Sequence, residues 1–358
     1  MNKPVEILVV GCGNMGSSHA RAYHELKDFE IAGLVSRSEE SRGRLSEALG
    51  GYPTFSSLQE ALQNSEVDAV SINTYPDSHA PLVRQALQAN CHVFVEKPLA
   101  TTVEEAEELV ALAIQRQKAL MVGYILRVHP AWMRFVQIAQ KLGKPLVMRM
   151  NLNQQSSGRE WYTHKQLMNS MSPLVDCGVH YVDIMCMMTG ARPISVHAIG
   201  ARLTDEIPEG MYNYGQLQVR FDDGSIGWYE AGWGPMMSET AFFIKDVIGP
   251  EGSVSISDVP EGDSDDIEGH TKTGVLRRHY NIVDGEGRFL HPDAFIDIEN
   301  EPDHDGLCLL EQELFLKAIR EGLDLTTHLK DAVNSLKIVL AADASIRLGK
   351  VVEIEIKD

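Results

Sequence analysis

The chain opens on an apolar run at residues 5–10 that stops at a glycine. Its largely β-branched character fits a strand buried on both faces, as in a parallel sheet. Beyond it, helical periodicity alternates with short apolar runs. The pattern predicts helices at 14–26, 39–49, 78–89 and 102–118. It predicts strands at 30–35, 52–55 (a weak one), 68–73, 92–95 and 119–123. The helix at 102–118 begins with Glu104 and Glu105, where its dipole favours negative charge. Six strands joined by helical crossovers imply a doubly wound parallel sheet.

After residue 123 the pattern changes. Helices are predicted at 130–142 and 174–188, then strands at 194–203, 213–221, 225–231, 241–248 and 253–256. Asp222, Asp223 and Gly224 separate two of these strands as a hairpin turn would. Strands following one another predict an open, mainly antiparallel sheet with helices on one face, and helix returns at 304–321 and 328–348. The fold class is therefore α/β in two domains, 1–123 and 124–358, with the C-terminal helix free to pack back onto the first. Acidic residues are dense between 258 and 305, and this stretch reads as a solvated excursion rather than a lid or a partner surface.

Composition narrows the function. A length of 358 residues fits two domains of roughly 100–200 residues each. The net charge of −19 repels phosphate backbones, so no nucleic-acid partner is expected. Cys12, Cys91, Cys177, Cys186 and Cys308 form no CxxC pair, which argues against a disulfide scaffold or a zinc knuckle. The cysteine usage fits a reducing compartment, and no apolar run is long enough to span a membrane or act as a leader. A cytoplasmic protein is expected.

Gly11, Cys12, Gly13, Asn14, Met15 and Gly16 form GxGxxG between the first strand and the first helix. In that context the motif is a dinucleotide fingerprint of the Rossmann type. Gly11 serves the tight turn, Gly13 the approach of the pyrophosphate, and Gly16 close packing of helix on strand. An NAD site usually places a carboxylate about 20 residues further on. Here the strand end reads Leu34, Val35, Ser36, Arg37, Ser38. Ser36 can donate to a phosphate and Arg37 can pair with it, while Arg42 adds charge nearby. NADP is expected over NAD.

Glu96, Lys97 and Pro98 follow the strand at 92–95, and strand ends of such sheets face the ligand crevice. A lysine there can stabilise a developing oxyanion. Asp176, His180 and Asp183 stand at i, i+4 and i+7 on one face of an apolar helix. An imidazole titrates near pH ~6.5 and can move a proton at neutrality, with a carboxylate on either side to orient it. The same spacing also fits a structural His–Asp pair or a zinc site.

Taken together these residues resemble the glucose-fructose oxidoreductase and inositol dehydrogenase family (Gfo/Idh/MocA). The likeness runs over nearly the whole chain: GCGNMG at 11–16, NTYPDSHAPLVRQAL at 73–87, VEKPLA at 95–100, GYILRVHPAW at 123–132 and DCGVHYVDIM at 176–185. The resemblance implies that Lys97, Asp176 and His180 are the catalytic group. It implies that Thr74, Pro76, His79 and Glu96 lie near the nicotinamide. It further implies a carbohydrate-type substrate and a homodimer or homotetramer built on the open sheet; no metal is expected. Arg127, Trp161 and Tyr162 are candidate substrate contacts. Ser170, Met171, Ser172 and Pro173 stand where many members carry a glycine-rich stretch, a departure that bears on pocket shape. Two rivals are a glycosidase that oxidises its substrate transiently with bound NAD, and a dinucleotide sensor without catalysis.

Overall fold

The computed structural model describes residues 3–238, 244–258, 273–298 and 301–355. In chain order its elements are β1 (Val5–Val10), α1 (Asn14–Glu25), β2 (Phe29–Val35), α2 (Glu39–Ala48), β3 (Thr54–Phe55), α3 (Leu58–Asn64), β4 (Ala69–Ile72), α4 (His79–Gln88), β5 (His92–Glu96), α5 (Val103–Arg116) and β6 (Leu120–Gly123). There follow α6 (Pro130–Ala139), β7 (Val147–Gln155), α7 (Gly158–Leu167), α8 (Pro173–Asp176), α9 (Gly178–Thr189), β8 (Pro193–Ala201), β9 (Tyr214–Phe221), β10 (Ile226–Gly234), β11 (Lys245–Gly249), β12 (Gly252–Asp258), β13 (Val275–Tyr280) and β14 (Ala294–Asp297). The chain ends with α10 (His304–Glu321), α11 (Thr326–Leu348) and β15 (Val352–Glu353). It divides into two compact units, Met1–Val128 with Pro302–Val333, and His129–Glu301 with Asn334–Asp358.

The first unit is built on a six-stranded parallel sheet of order β3-β2-β1-β4-β5-β6. The order reverses between β1 and β4, which opens the crevice where doubly wound sheets bind ligands. Several helices start on a side-chain cap: Ser38 for α2, Ser57 for α3 and Thr102 for α5 each accept from a backbone N–H three residues on. Helix α3 was not expected from the pattern, although Ser57 with Glu60 three residues later is a capping-box signature. The sequence boundary at 123 falls at the end of β6, and α10 belongs to this unit as well. Phe315 of α10 lies 6.0 Å from Phe94 and 6.5 Å from Phe29, ring centre to ring centre, so α10 closes the core over β2 and β5.

The second unit holds a nine-stranded sheet of order β14-β13-β12-β11-β7-β10-β9-β8-β15. All its pairs are antiparallel except β7 with β10. Strand β7, helix α7 and strands β13 and β14 were not expected. In β7 the signal was present: Met148, Met150 and Leu152 are buried and alternate with Arg149 and Asn153. One face is covered by helices, since Gly215 faces Leu174 and Gly227 faces Met185 with no room for a side chain. Leu217 and Val219 point to that covered face, and Tyr212 is also buried, so they do not form an open sheet surface. The other face carries Ile199, Ile226 and Ile248 exposed, with Trp228, Gln216 and Arg149 among them. The strand expected at 241–248 is described only from 244, and most of the acidic stretch at 258–305 lies outside the described residues.

Candidate active site

The glycine loop joins β1 to α1. Gly11 has φ +96°, and a Cβ there would sit 2.3 Å from the Asn73 carbonyl oxygen. A Cβ on Gly16 would sit 1.8 Å from the Gly11 oxygen, so this position brings α1 against the loop and tolerates no side chain. Gly13 differs, for a Cβ there meets nothing within 4 Å. Gly13 is also the N-cap of α1 and offers no side-chain cap, while Asn14 and Met15 open the helix with no acidic residue in its first turn. The free N–H groups and the positive dipole end thus stand beside open space, as a pyrophosphate requires. The residues present fit a dinucleotide.

At the end of β2, Arg37 is exposed. Arg42 is not simply a nearby charge: its guanidinium donates to the Ser36 carbonyl at 3.0 Å and to the Arg37 carbonyl at 3.4 Å. It therefore shapes the loop that presents Ser36 and Arg37. Burial pushes the Cys12 thiol up to about 11, against the pull of the Arg42 charge, so the thiol stays protonated and packs as a small residue.

Beyond β4 the Thr74 hydroxyl accepts from Ser78 at 2.7 Å. Pro76 begins a single helical turn that leads into α4. His79 is fully buried between two carbonyls, with Nδ1 2.7 Å from the Pro98 oxygen and Nε2 2.9 Å from the Thr74 oxygen. Burial pushes this imidazole down, although both carbonyls favour its charged form. His79 is thus the clip that joins the Thr74 loop to the loop after β5, rather than a side chain open to a ligand.

The end of β5 supplies Glu96 and Lys97, and the Lys97–Pro98 bond is cis. Glu96 is buried. One carboxylate oxygen accepts from His19 Nε2 at 2.8 Å and the other from the Lys97 backbone N–H at 3.2 Å. Burial pushes this carboxyl up, but the His19 hydrogen bond, with the Lys97 charge beside it, outweighs that and holds it below the usual carboxylate range. His19, Cys308 and Glu311 bring three ligand-type atoms within 4.8 Å of one another. Both His19 nitrogens are already engaged, by Glu96 and by Gln312, so this cluster reads as a hydrogen-bonded core. Arg127 pairs with buried Asp331 at 2.8 Å, which ties the end of the sheet to α11.

In the second unit Asp176 and His180 do not share one unbroken helix. Asp176 ends α8, His180 lies in the first turn of α9, and Cys177 is the joint between them. Ser172 caps α8 by accepting from the Val175 N–H, and its hydroxyl donates to Asp343 of α11 at 2.8 Å. The Tyr212 hydroxyl donates to Asp343 as well, at 2.5 Å. The unexpected Ser170–Pro173 stretch is therefore where α11 grips the start of α8. Asp183 is fully buried one turn beyond His180.

Around Asp176 the wall is aromatic and amide. His164 stacks on Trp233 at 4.4 Å, the Trp233 indole N–H donates to Gln154 at 2.8 Å, and the Cys177 thiol lies 3.6 Å from the same amide oxygen. Burial pushes His164 down to about 4, with the Asp176 charge opposing. Of the two aromatic candidates on α7, Trp161 is buried at 7% exposure and Tyr162 is open at 60%. His164, beside Trp161 and Tyr162 in the sequence, is also a candidate for stacking on or bonding to a sugar; Gln154 and Trp233 were not singled out, because β7 was not recognised and the strand expected at 225–231 stopped short of Trp233. All five cysteines are buried and none is in a disulfide. No helix among the described residues is long and apolar enough to cross a membrane.

Residues 5–124 match the family model described as an oxidoreductase family with an NAD-binding Rossmann fold, and residues 134–255 match the model of the GFO/IDH/MocA C-terminal domain. The scyllo-inositol 2-dehydrogenase (NAD(+)) of Bacillus subtilis (strain 168) is 27% identical over 371 residues, covering 100% of this chain and 98% of that protein. The UDP-N-acetylglucosamine 3-dehydrogenase of Acidithiobacillus ferrooxidans is 30% identical over 208 residues, which span 55% of this chain and only 59% of that protein. In fold, the chain is similar to the scyllo-inositol dehydrogenase of Lactobacillus casei solved with bound cofactor NAD(H) and scyllo-inositol. There the TM-score is 0.77 at 20% identity, covering 98% of this chain and 99% of the other.

Proposed function

The chain belongs to the Gfo/Idh/MocA family of NAD-binding oxidoreductases, and from that premise we propose that it moves a hydride between a nicotinamide dinucleotide and a hydroxyl- or carbonyl-bearing carbon of a sugar or polyol. The observation that carries this reading is the cradle of the first unit. Open space at Gly13 and the uncapped start of α1 lie on the same strand-end edge as Glu96 and Lys97. The two relatives described above are dehydrogenases of an inositol and of a sugar nucleotide, which favours neither a glycosidase nor a sensor.

A bound nicotinamide supplies the hydride acceptor or donor. Lys97 stabilises negative charge developing on the substrate oxygen. His180 takes the hydroxyl proton in oxidation and returns it in reduction, and Asp176 orients His180 and a substrate hydroxyl. Gly11, Gly13, Asn14, Met15 and Gly16 hold the pyrophosphate. Thr74, Pro76, His79 and Glu96 shape the nicotinamide end, His79 and Glu96 from behind the surface. Trp161 and Tyr162 are weaker candidates for substrate contact than Gln154 and Trp233, and Arg127 reaches substrate only if it leaves Asp331.

NADP is preferred over NAD in this reading, because Ser36 and exposed Arg37 stand where an NAD site carries a carboxylate, on a loop that Arg42 fixes. The uncovered sheet face, with Ile199, Ile226 and Ile248 exposed, supports a homodimer or homotetramer. A cytoplasmic setting fits the reduced cysteines. The test is a screen of myo-inositol, scyllo-inositol, glucose and UDP-N-acetylglucosamine against NAD and NADP, followed by nicotinamide absorbance. Oxidation of one of them is expected, and no absorbance change with any sugar or polyol tried would overturn the reading.

A further inference from the structure

Behind Glu96 lies a buried chain of polar groups that runs between α1 and α10. The Tyr23 hydroxyl donates to the Gln312 side-chain oxygen at 2.5 Å. The Gln312 amide nitrogen donates to His19 Nδ1 at 2.9 Å. His19 Nε2 meets one oxygen of Glu96 at 2.8 Å, and the Lys97 backbone N–H meets the other at 3.2 Å. His19 and Gln312 are completely buried. From Tyr23 through Gln312 and His19 each link donates toward Glu96, which also accepts from Lys97, and a neutral imidazole satisfies this in one tautomer only: Nδ1 accepts, so Nε2 carries the proton.

We infer that His19 and Gln312 are positioning residues for the Glu96–Lys97 segment, with Gln312 selecting the His19 tautomer that donates to Glu96. Lys97's part in catalysis rests on the function proposed above, but the relay itself does not. Its logic is that of an oriented histidine behind a working group: the outer partner fixes the tautomer and the ring delivers one hydrogen bond inward. A carboxylate buried as deeply as Glu96 stays ionised only while such donors face it. Ionised, it holds the Lys97 N–H and fixes the turn from which the lysine projects.

The other groups facing Glu96 sharpen this. Tyr23 on α1, Cys308 and Glu311 on α10, His79 on α4 and Lys97 itself all interact with it. Burial and the Glu96 charge push the Glu311 carboxyl well above the usual range, and one of its oxygens has no hydrogen-bond partner. Glu311 is therefore the neutral member of the pair and Glu96 the charged one.

Three measurements on the full chain without substrate test the relay. Nitrogen-15 shifts of His19 at pH 7, assigned by comparison with His19→Gln, should show a protonated Nε2 and a bare Nδ1. Carbon-13 shifts of the Glu96 carboxyl should place its midpoint about 1–3 pH units higher in His19→Leu, with a smaller rise in Gln312→Leu. In His19→Gln the side-chain amide can still donate to Glu96, and the midpoint should return toward the parent value. Hydrogen exchange of the Lys97 amide should speed up about tenfold or more in His19→Leu and recover in His19→Gln. NADPH binding, read by fluorescence, identifies variants that remain folded. A doubly protonated or Nδ1–H His19 would overturn the inference, as would a Glu96 midpoint unchanged in a folded His19→Leu chain. If the relay behaves as described and no sugar or polyol is oxidised, the proposed function fails and the relay stands.

Discussion

The two units place their chemistry by different means. In the first, backbone does most of the placing: glycines at 11, 13 and 16, the end of β2 and the end of β5. In the second, side chains of distant elements do it. Asp343 of α11 grips the cap of α8, and Gln154 and Trp233 of adjacent strands line the site beside Asp176. A backbone-built site leaves a local signature, since only glycine survives certain contacts. A site built from side chains can exchange its wall residues while the helix joint remains. A dinucleotide is common to many oxidoreductases and a substrate is not, which is why one unit can be stereotyped and the other need not be.

The largest expected effect breaks the division of labour between the units. Lys97→Ala and His180→Ala should each lower turnover by about 10²–10⁴-fold while NADPH titration stays near normal. In His180→Ala the rise of the oxidation rate with pH should disappear as well. Normal turnover and an unchanged pH profile in His180→Ala would leave the Asp176–His180 pair a structural one.

Next come two glycines of one loop that should behave differently. Gly16→Ala drives a Cβ into the Gly11 backbone and should cost about 3 kcal/mol, visible as a large fall in melting temperature. Gly13→Ala meets open space and should melt as the parent does, yet bind NADPH more weakly. Equal binding by parent and Gly13→Ala would show that the phosphates do not pass over this position.

Cofactor choice is a smaller effect. Parent protein should bind NADPH more tightly than NADH in a fluorescence titration. Arg37→Asp should cost NADPH binding about 1.5–3 kcal/mol, tenfold or more, and spare NADH. A parent that prefers NADH would mean that Arg37 does not read the 2′-phosphate.

Stability against pH gives a fourth test. Burial pushes His92 and His164 down to about 4 and His328 down to about 3. His92 Nδ1 accepts from the Ala119 N–H and His328 Nε2 from the Val122 N–H, so both rings are needed neutral. Their folded values lie below the unfolded ~6.5, so the unfolded chain binds more protons between about pH 6.5 and 4. Stability is complete above that window and falls as pH drops through it, with a slope of up to about 1.4 kcal/mol per pH unit for each group. Melting temperature against pH should show the fall, and His328→Asn should flatten it. A flat curve from pH 7 to 4.5 would mean that these rings are protonated in the folded state.

The comparison also explains what the sequence discloses. The six strands of the first sheet, GxGxxG and the Glu96–Lys97 turn are local patterns, and each lies where its pattern predicts. The helix carrying Asp176 and His180 was legible as an apolar run, but its joint at Cys177 was not, because Cys177 keeps helical dihedrals. Strand β7 was missed although it alternates, since it sits between two helical stretches with no hairpin turn to announce it. His19 and Gln312 are 293 residues apart and carry no shared periodicity, so only the folded chain pairs them.

Because α10 completes a core begun by β1, the first unit cannot finish folding when its six strands leave the ribosome. About 200 further residues must be made before Phe315 can reach Phe94. At ~5–20 residues per second, that is a wait of about 10–40 seconds with an apolar sheet face uncovered. The nascent chain is thus exposed to aggregation for most of its own synthesis, and a fragment ending near residue 128 would meet the same hazard permanently. Ribosome-bound chaperones are the natural guardians of that interval, and the yield of soluble protein should depend on how fast the second unit is translated.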